Sequence, residues 1–138
     1  MMLVPALLAG ALLAACGGDD SPSKAEYVKD ANAICKKTND ELNADVKKEF
    51  GNQRPSQQQI EKFGTDTVAP TIEDELSQLR DLDAPSGDED TVNAIYDAAQ
   101  DGVDALKQDP SILLENNPAA FQEANKLAKD YGLTVCAS

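Results

Sequence analysis

The sequence predicts an all-α fold: a four-helix antiparallel bundle with a kinked second helix, tied by one disulfide. Three observations carry this expectation. Apolar residues return every three or four positions in four separate stretches, which lines one face of a helix. Ser, Pro and Gly punctuate those stretches where helices begin and end. No stretch alternates apolar and polar residues between hairpin turns. At 138 residues the chain makes one domain at most, since a single core commonly runs to ~100–150 residues.

Residues 1–15, MMLVPALLAGALLAA, are uncharged and almost wholly apolar. The run Leu3–Ala15 covers 13 residues, short of the ~20 that a helix needs to cross hydrocarbon. It fits a secretory signal ending in small residues. The next residue sets its type: Leu13-Ala14-Ala15-Cys16 resembles a bacterial lipobox, where the signal is cut before the cysteine and that cysteine is acylated. The alternatives are an ordinary signal that a cysteine happens to follow, or an N-terminal core helix. No Lys or Arg precedes the apolar run, a departure from the usual signal. The resulting division is a lipoprotein signal peptide (1–15), a flexible tether (16–22) containing Gly17-Gly18-Asp19-Asp20, and a helical domain (23–138). The location it implies is extracytoplasmic, on the outer face of the cell membrane. The partner there is the membrane itself, through acyl chains on Cys16 worth ~0.8 kcal/mol per buried methylene.

The helical domain opens with Ser23-Lys24-Ala25-Glu26, a capping box. Tyr27, Val28, Ala31, Ile34, Cys35, Thr38, Leu42, Val46 and Phe50 then form one long apolar stripe, stopped by Gly51. Charges on this first helix balance, six Lys against six Asp and Glu. Ser56 caps the second helix, whose stripe runs Ile60, Phe63, Thr67, Val68, Ile72, Leu76, Leu79, Leu82. Pro70 sits inside it and is expected to kink the helix near Ala69, because proline has no N–H and crowds the preceding turn. Ser86-Gly87-Asp88-Glu89 reads as another capping box, leading into Val92, Ile95, Tyr96, Ala99, Val103 and Leu106. Gly102 within that helix suggests close packing, at a cost of ~1 kcal/mol relative to Ala. After Asp109-Pro110, Ile112-Leu113-Leu114 reads as a short helical turn covering one end of the core. Asn117-Pro118 is an N-cap followed by proline at the first helical position. Phe121, Ala124, Leu127, Ala128 and Tyr131 make the last stripe, and Gly132 ends it with Leu133 placed for the contact that follows a glycine cap.

Three cysteines is an odd number. With Cys16 lipidated, Cys35 and Cys136 remain, and outside the cytoplasm two such thiols form a structural disulfide more often than not. The alternative is two separate buried thiols; a redox pair lacks the CxxC spacing that lowers a thiol pKa.

The segments Ala31-Asn32-Ala33-Ile34-Cys35 and Tyr131-Gly132-Leu133-Thr134-Val135-Cys136, with Leu79–Pro85 and Asp88-Glu89 between them, resemble an uncharacterised family of small helical lipoproteins and secreted proteins of actinobacteria. The resemblance spans essentially the whole mature chain. It implies the helical fold and the Cys35–Cys136 pairing, and no catalytic or binding residue.

Composition narrows the chemistry. The chain has no histidine, which removes Ser-His-Asp and Cys-His catalysis and imidazole metal sites. A net charge of −13 argues against a nucleic acid partner, which needs Lys/Arg stripes. Of that charge, −9 falls in residues 81–115, with ten Asp and Glu against one Lys. Asp90, Asp97, Asp101 and Asp104 share one helical face, either a solvated surface or a binding face for a basic protein or a cation. Tyr27, Tyr96 and Tyr131 fall on apolar stripes and read as core residues with wet hydroxyls. The reading is a non-enzymatic, membrane-anchored interaction or binding module with no cofactor. Its alternative is a protein that binds a small ligand or divalent cation in a pocket between helices, with the acidic third helix at the mouth.

Overall fold

The computed structural model describes residues 20–137, all helices and connections with no strand among them. The expected signal peptide, Cys16 and the start of the expected tether lie outside the described residues. Ser23 caps α1 (Lys24–Phe50), with Glu26 returning the bond to the Ser23 backbone. Gly51, at φ 55°, closes α1 in a conformation that side chains other than glycine's rarely adopt.

The second predicted helix is one continuous helical stretch with an internal change of period. Ser56 caps α2 (Gln57–Phe63), a π turn covers Gly64–Val68, and α3 (Ala69–Arg80) completes it. The Ala69 N–H bonds to the Gly64 carbonyl, five residues back. The ladder has therefore already shifted register when the chain reaches Pro70, which has no N–H to give. The interruption falls in the turn before the proline, rather than at Ala69 itself.

Two boundaries differ from expectation. Ser86 does not cap α4 (Glu89–Gln108); Gly87 at φ 88° makes a turn first, and the N-cap is Asp88, whose side chain makes no capping bond. The Asp88 carboxylate accepts the Tyr131 hydroxyl at 2.7 Å instead, and Glu89 accepts from the Gly87 N–H. The last helix, α5 (Ala119–Tyr131), begins one residue later than predicted. Pro118 is its N-cap, and the Glu115 carboxylate takes the Ala119 N–H in place of Asn117. The turn Pro110–Leu114 is 3₁₀, and of its apolar residues Ile112 and Leu113 pack on the core while Leu114 is exposed. The tyrosine hydroxyls are not wet: Tyr27 and Tyr96 bond to each other in the core, and Tyr131 bonds to Asp88.

Cross-helix pairs fix the directions. Glu73 and Arg80 of α3 pair with Lys107 and Asp97 of α4 respectively, so those helices are antiparallel. Tyr131 reaches the start of α4 while Phe121 lies against Gly102, so α5 runs antiparallel to α4. Phe50 at the end of α1 meets Phe63 at the end of α2, edge to face at 5.2 Å. α1 packs along α3, α3 along α4 and α4 along α5. The remaining side, between α5 and α1, is closed by the contact of Tyr27 with Tyr131 and by the C-terminal tail.

That closure is dense. Leu133 N–H and Gly132 N–H return to Ala128 O at 2.8 and 3.1 Å, with Gly132 at φ 114°, so the chain reverses straight after α5. Leu133 is fully buried. Asn32 donates to Gly132 O and accepts from Val135 N–H, and Asn39 donates to Val135 O. Cys35, between these asparagines on α1, is bonded to Cys136. Closing a loop over a separation of 101 residues is worth ~4.7 kcal/mol in the chain-entropy account.

Gly102 bears the closest helix contact. A Cβ there would stand 2.5 Å from the Phe121 ring and 2.9 Å from the Ala120 carbonyl. The backbone atom has no rotamer to escape into, so Gly102→Ala is expected to lower unfolding stability by about 1–3 kcal/mol in spite of alanine's better helix propensity. Urea unfolding followed by circular dichroism checks this; a variant as stable as the parent would show that α4 and α5 can part without cost.

Candidate functional site

Gly64 and Gly102 hold the two sides of a cavity in place. At Gly64 the absent side chain admits Leu113, whose Cδ1 would lie 2.6 Å from a Cβ. At Gly102 it admits Phe121. Both seated side chains then line an interhelical space of about 410 Å³, within the ~300–1,000 Å³ usual for small-molecule sites. Ile72, Leu76 and Leu79 of α3 and Ile95, Tyr96 and Ala99 of α4 form its back wall. α1 contributes Thr38, Asn39 and Leu42, facing Phe121, Ala124, Asn125 and Ala128 of α5. Leu133 and Cys136 of the tail cover one end, and the exposed Asn116 and Asn117 stand at the rim of the other.

The lining is mostly apolar and holds one ionisable carboxyl, Glu75. Burial pushes the Glu75 carboxyl above the usual carboxylate range, and the Thr38 hydroxyl partly offsets that. Thr38 is 6% exposed, and its hydroxyl also lies 3.4 Å from the Ile34 carbonyl. With one proton to donate, it serves one of the two acceptors at a time. No Lys or Arg pairs with Glu75 among the described residues.

Tyr96 joins the cavity to a buried tyrosine layer. Its hydroxyl bonds to Tyr27, whose ring meets Tyr131 edge-on at 6.1 Å. Arg80 lies 5.7 Å over the Tyr96 ring, and Lys24 lies 4.1 Å over Tyr131. Burial raises all three phenols, and the Asp88 carboxylate adds to it at Tyr131. These groups stay protonated, which suits a structural layer beside the cavity.

Asp90, Asp97, Asp101 and Asp104 are all exposed, on the side of α4 opposite Ile95, Tyr96 and Ala99. The helical period separates the two sets by about half a turn, so the acidic stripe does not stand at the cavity's mouth. Asp97 is tied to Arg80 at 3.3 Å, and Asp104 accepts from Gln100 at 3.2 Å. Among the described residues no group of three or more acidic or cysteine side chains is arranged to hold a metal ion. Of the residues singled out in the sequence, Cys35 and Cys136 come together beside the cavity.

Glu75 and Asn39 did not stand out in the sequence. A signal for Glu75 was present: it lies three residues after Ile72 and four before Leu79, a charged residue at apolar-stripe spacing. No family model, curated protein or solved structure matches the chain.

A carboxyl whose pKa is raised on folding is held protonated more tightly by the native state. Its contribution to stability therefore falls as pH rises from ~4.3, the unfolded value, through the folded one. Glu75→Gln is expected to melt higher than the parent at pH 7, the difference closing near pH 4 and below. Thermal melts at the two pH values measure it, and a lower melting temperature at pH 7 would mean that the carboxylate is well solvated in the fold.

Proposed function

We propose that this protein is a membrane-anchored extracytoplasmic binding module, without enzymatic activity, that takes a small and largely apolar ligand into the interhelical cavity. The observation that carries this reading is the cavity itself. A bundle of this size whose helices met on all sides would fill its centre with side chains at crystal-like density. Here the α1–α5 side is spanned by the tail, and space for a small molecule remains among Leu76, Ile95, Tyr96 and Phe121. An apolar interior with few polar groups suits capture rather than turnover: the lining has no histidine, no free thiol among the described residues and no pair of carboxyls. Anchoring rests on the lipobox-like Leu13–Cys16 and the short apolar segment before it. No described helix is long and apolar enough to cross a membrane, which is compatible with a lipid in that role.

Native mass spectrometry of protein extracted from its own membrane is expected to show a copurified small molecule, lost when Ala99→Phe fills the cavity. A well-folded parent free of ligand that also fails to bind any apolar probe would remove the reading. For the anchor, Cys16→Ser is expected to shift the protein from the membrane pellet to the soluble fraction after cell lysis. An unchanged pellet fraction would point to retention by something other than acylation.

A further inference from the structure

Within the cavity, the polar groups are unevenly matched in charge. Among the described residues Glu75 is the only charged side chain in the lining, and none gives it a cationic partner. The cations of α3 and α4 are engaged elsewhere: Arg80 with Asp97 and Lys107 with Glu73. A half-buried carboxylate among Ile72, Leu76 and Leu79 loses hydration and regains little of it from the single Thr38 hydroxyl. A hydrophobic residue would be the ordinary choice at this position of the stripe.

We propose that the cavity selects small amphiphilic amines: a protonated amino group held at Glu75, and an apolar body lying among Leu76, Ile95, Tyr96 and Phe121. This rests on the cavity being the ligand site. An ammonium has three N–H donors and no acceptor, and it meets a wall whose ionisable group is an acceptor. A neutral alcohol of the same length would fill the same apolar volume but leave the carboxylate without a counter-charge. A carboxylate ligand would place two like charges together in a poorly solvated space, so it is disfavoured twice. The net charge of −13 works in the same direction by raising the local concentration of cations at the surface. That long-range effect is screened within ~8 Å at physiological salt, whereas the contact with Glu75 is not, and this difference separates the two experimentally.

The test is calorimetric titration of the full mature chain with octylamine, octanol and octanoate at pH 7 in 0.15 M salt, on the parent and on Glu75→Gln. Both proteins are first checked for the same helical content. The expected result is binding of octylamine to the parent on the order of tenfold tighter than octanol, with octanoate weakest. In Glu75→Gln that preference should vanish while octanol binding is kept. Equal binding of all three ligands to the parent, or an amine preference that survives in Glu75→Gln, would overturn the selection and leave the cavity reading standing. Absence of binding by all three would overturn both.

Discussion

The attachment of the C-terminal tail to α1 is the constraint on which the remaining geometry depends. α1 touches the body of the bundle chiefly through α3, and its other side is secured by the tail. Three kinds of bond converge there: the Cys35–Cys136 disulfide, the asparagine bonds from Asn32 and Asn39, and the buried Leu133. The tail is thinner than a helix. It can hold α1 and α5 in register without filling the space between them. The cavity follows from this substitution of a strap for a helix–helix contact.

The two interior glycines work with that strap. α1 and α5 meet at Tyr27 and Tyr131, whereas α4 and α5 come unusually close at Gly102, and the 3₁₀ turn comes close to the π turn at Gly64. Between that tight contact and the strap, the cavity is lined by all four long helical segments. The π turn itself is the local answer to a proline inside a helix, and it ends just before the α3 residues that line the cavity. A carboxyl on the apolar stripe then becomes the one charge facing that volume.

Local features of the fold were largely legible in the sequence. The four stripes, the Ser23 and Ser56 caps and the stops at Gly51 and Gly132 all depend on residues near one another in the chain. The two misplaced helix starts share a cause. Ser86 and Asn117 have capping chemistry, but Gly87 turns the chain after the first, and Glu115 reaches the Ala119 N–H before the second can. Capping is a competition among nearby acceptors, and the pattern of residue types does not show which one wins. The tyrosines illustrate the same limit at longer range, since the partner of Tyr27 lies 69 positions away and that of Tyr131 lies 43 away.

What the sequence determined by itself is the set of elements: helical period, caps, breakers, the count of cysteines and the absence of histidine are all written in residue type and spacing. What only the tertiary structure decided is what lies between those elements. A stripe of Ile72, Leu76 and Leu79 reads the same whether it meets another helix or an empty space, because periodicity records which face turns inward and not what waits there. The tertiary structure likewise decided that Ile95, Tyr96 and Ala99 of α4, opposite its acidic stripe, face a cavity. Glu75, one carboxyl among 25 acidic side chains, became distinct only when the fold surrounded it with apolar walls. Its spacing puts it on the inward face, but the extent of its burial arises from neighbours distant in the chain, which no local pattern names.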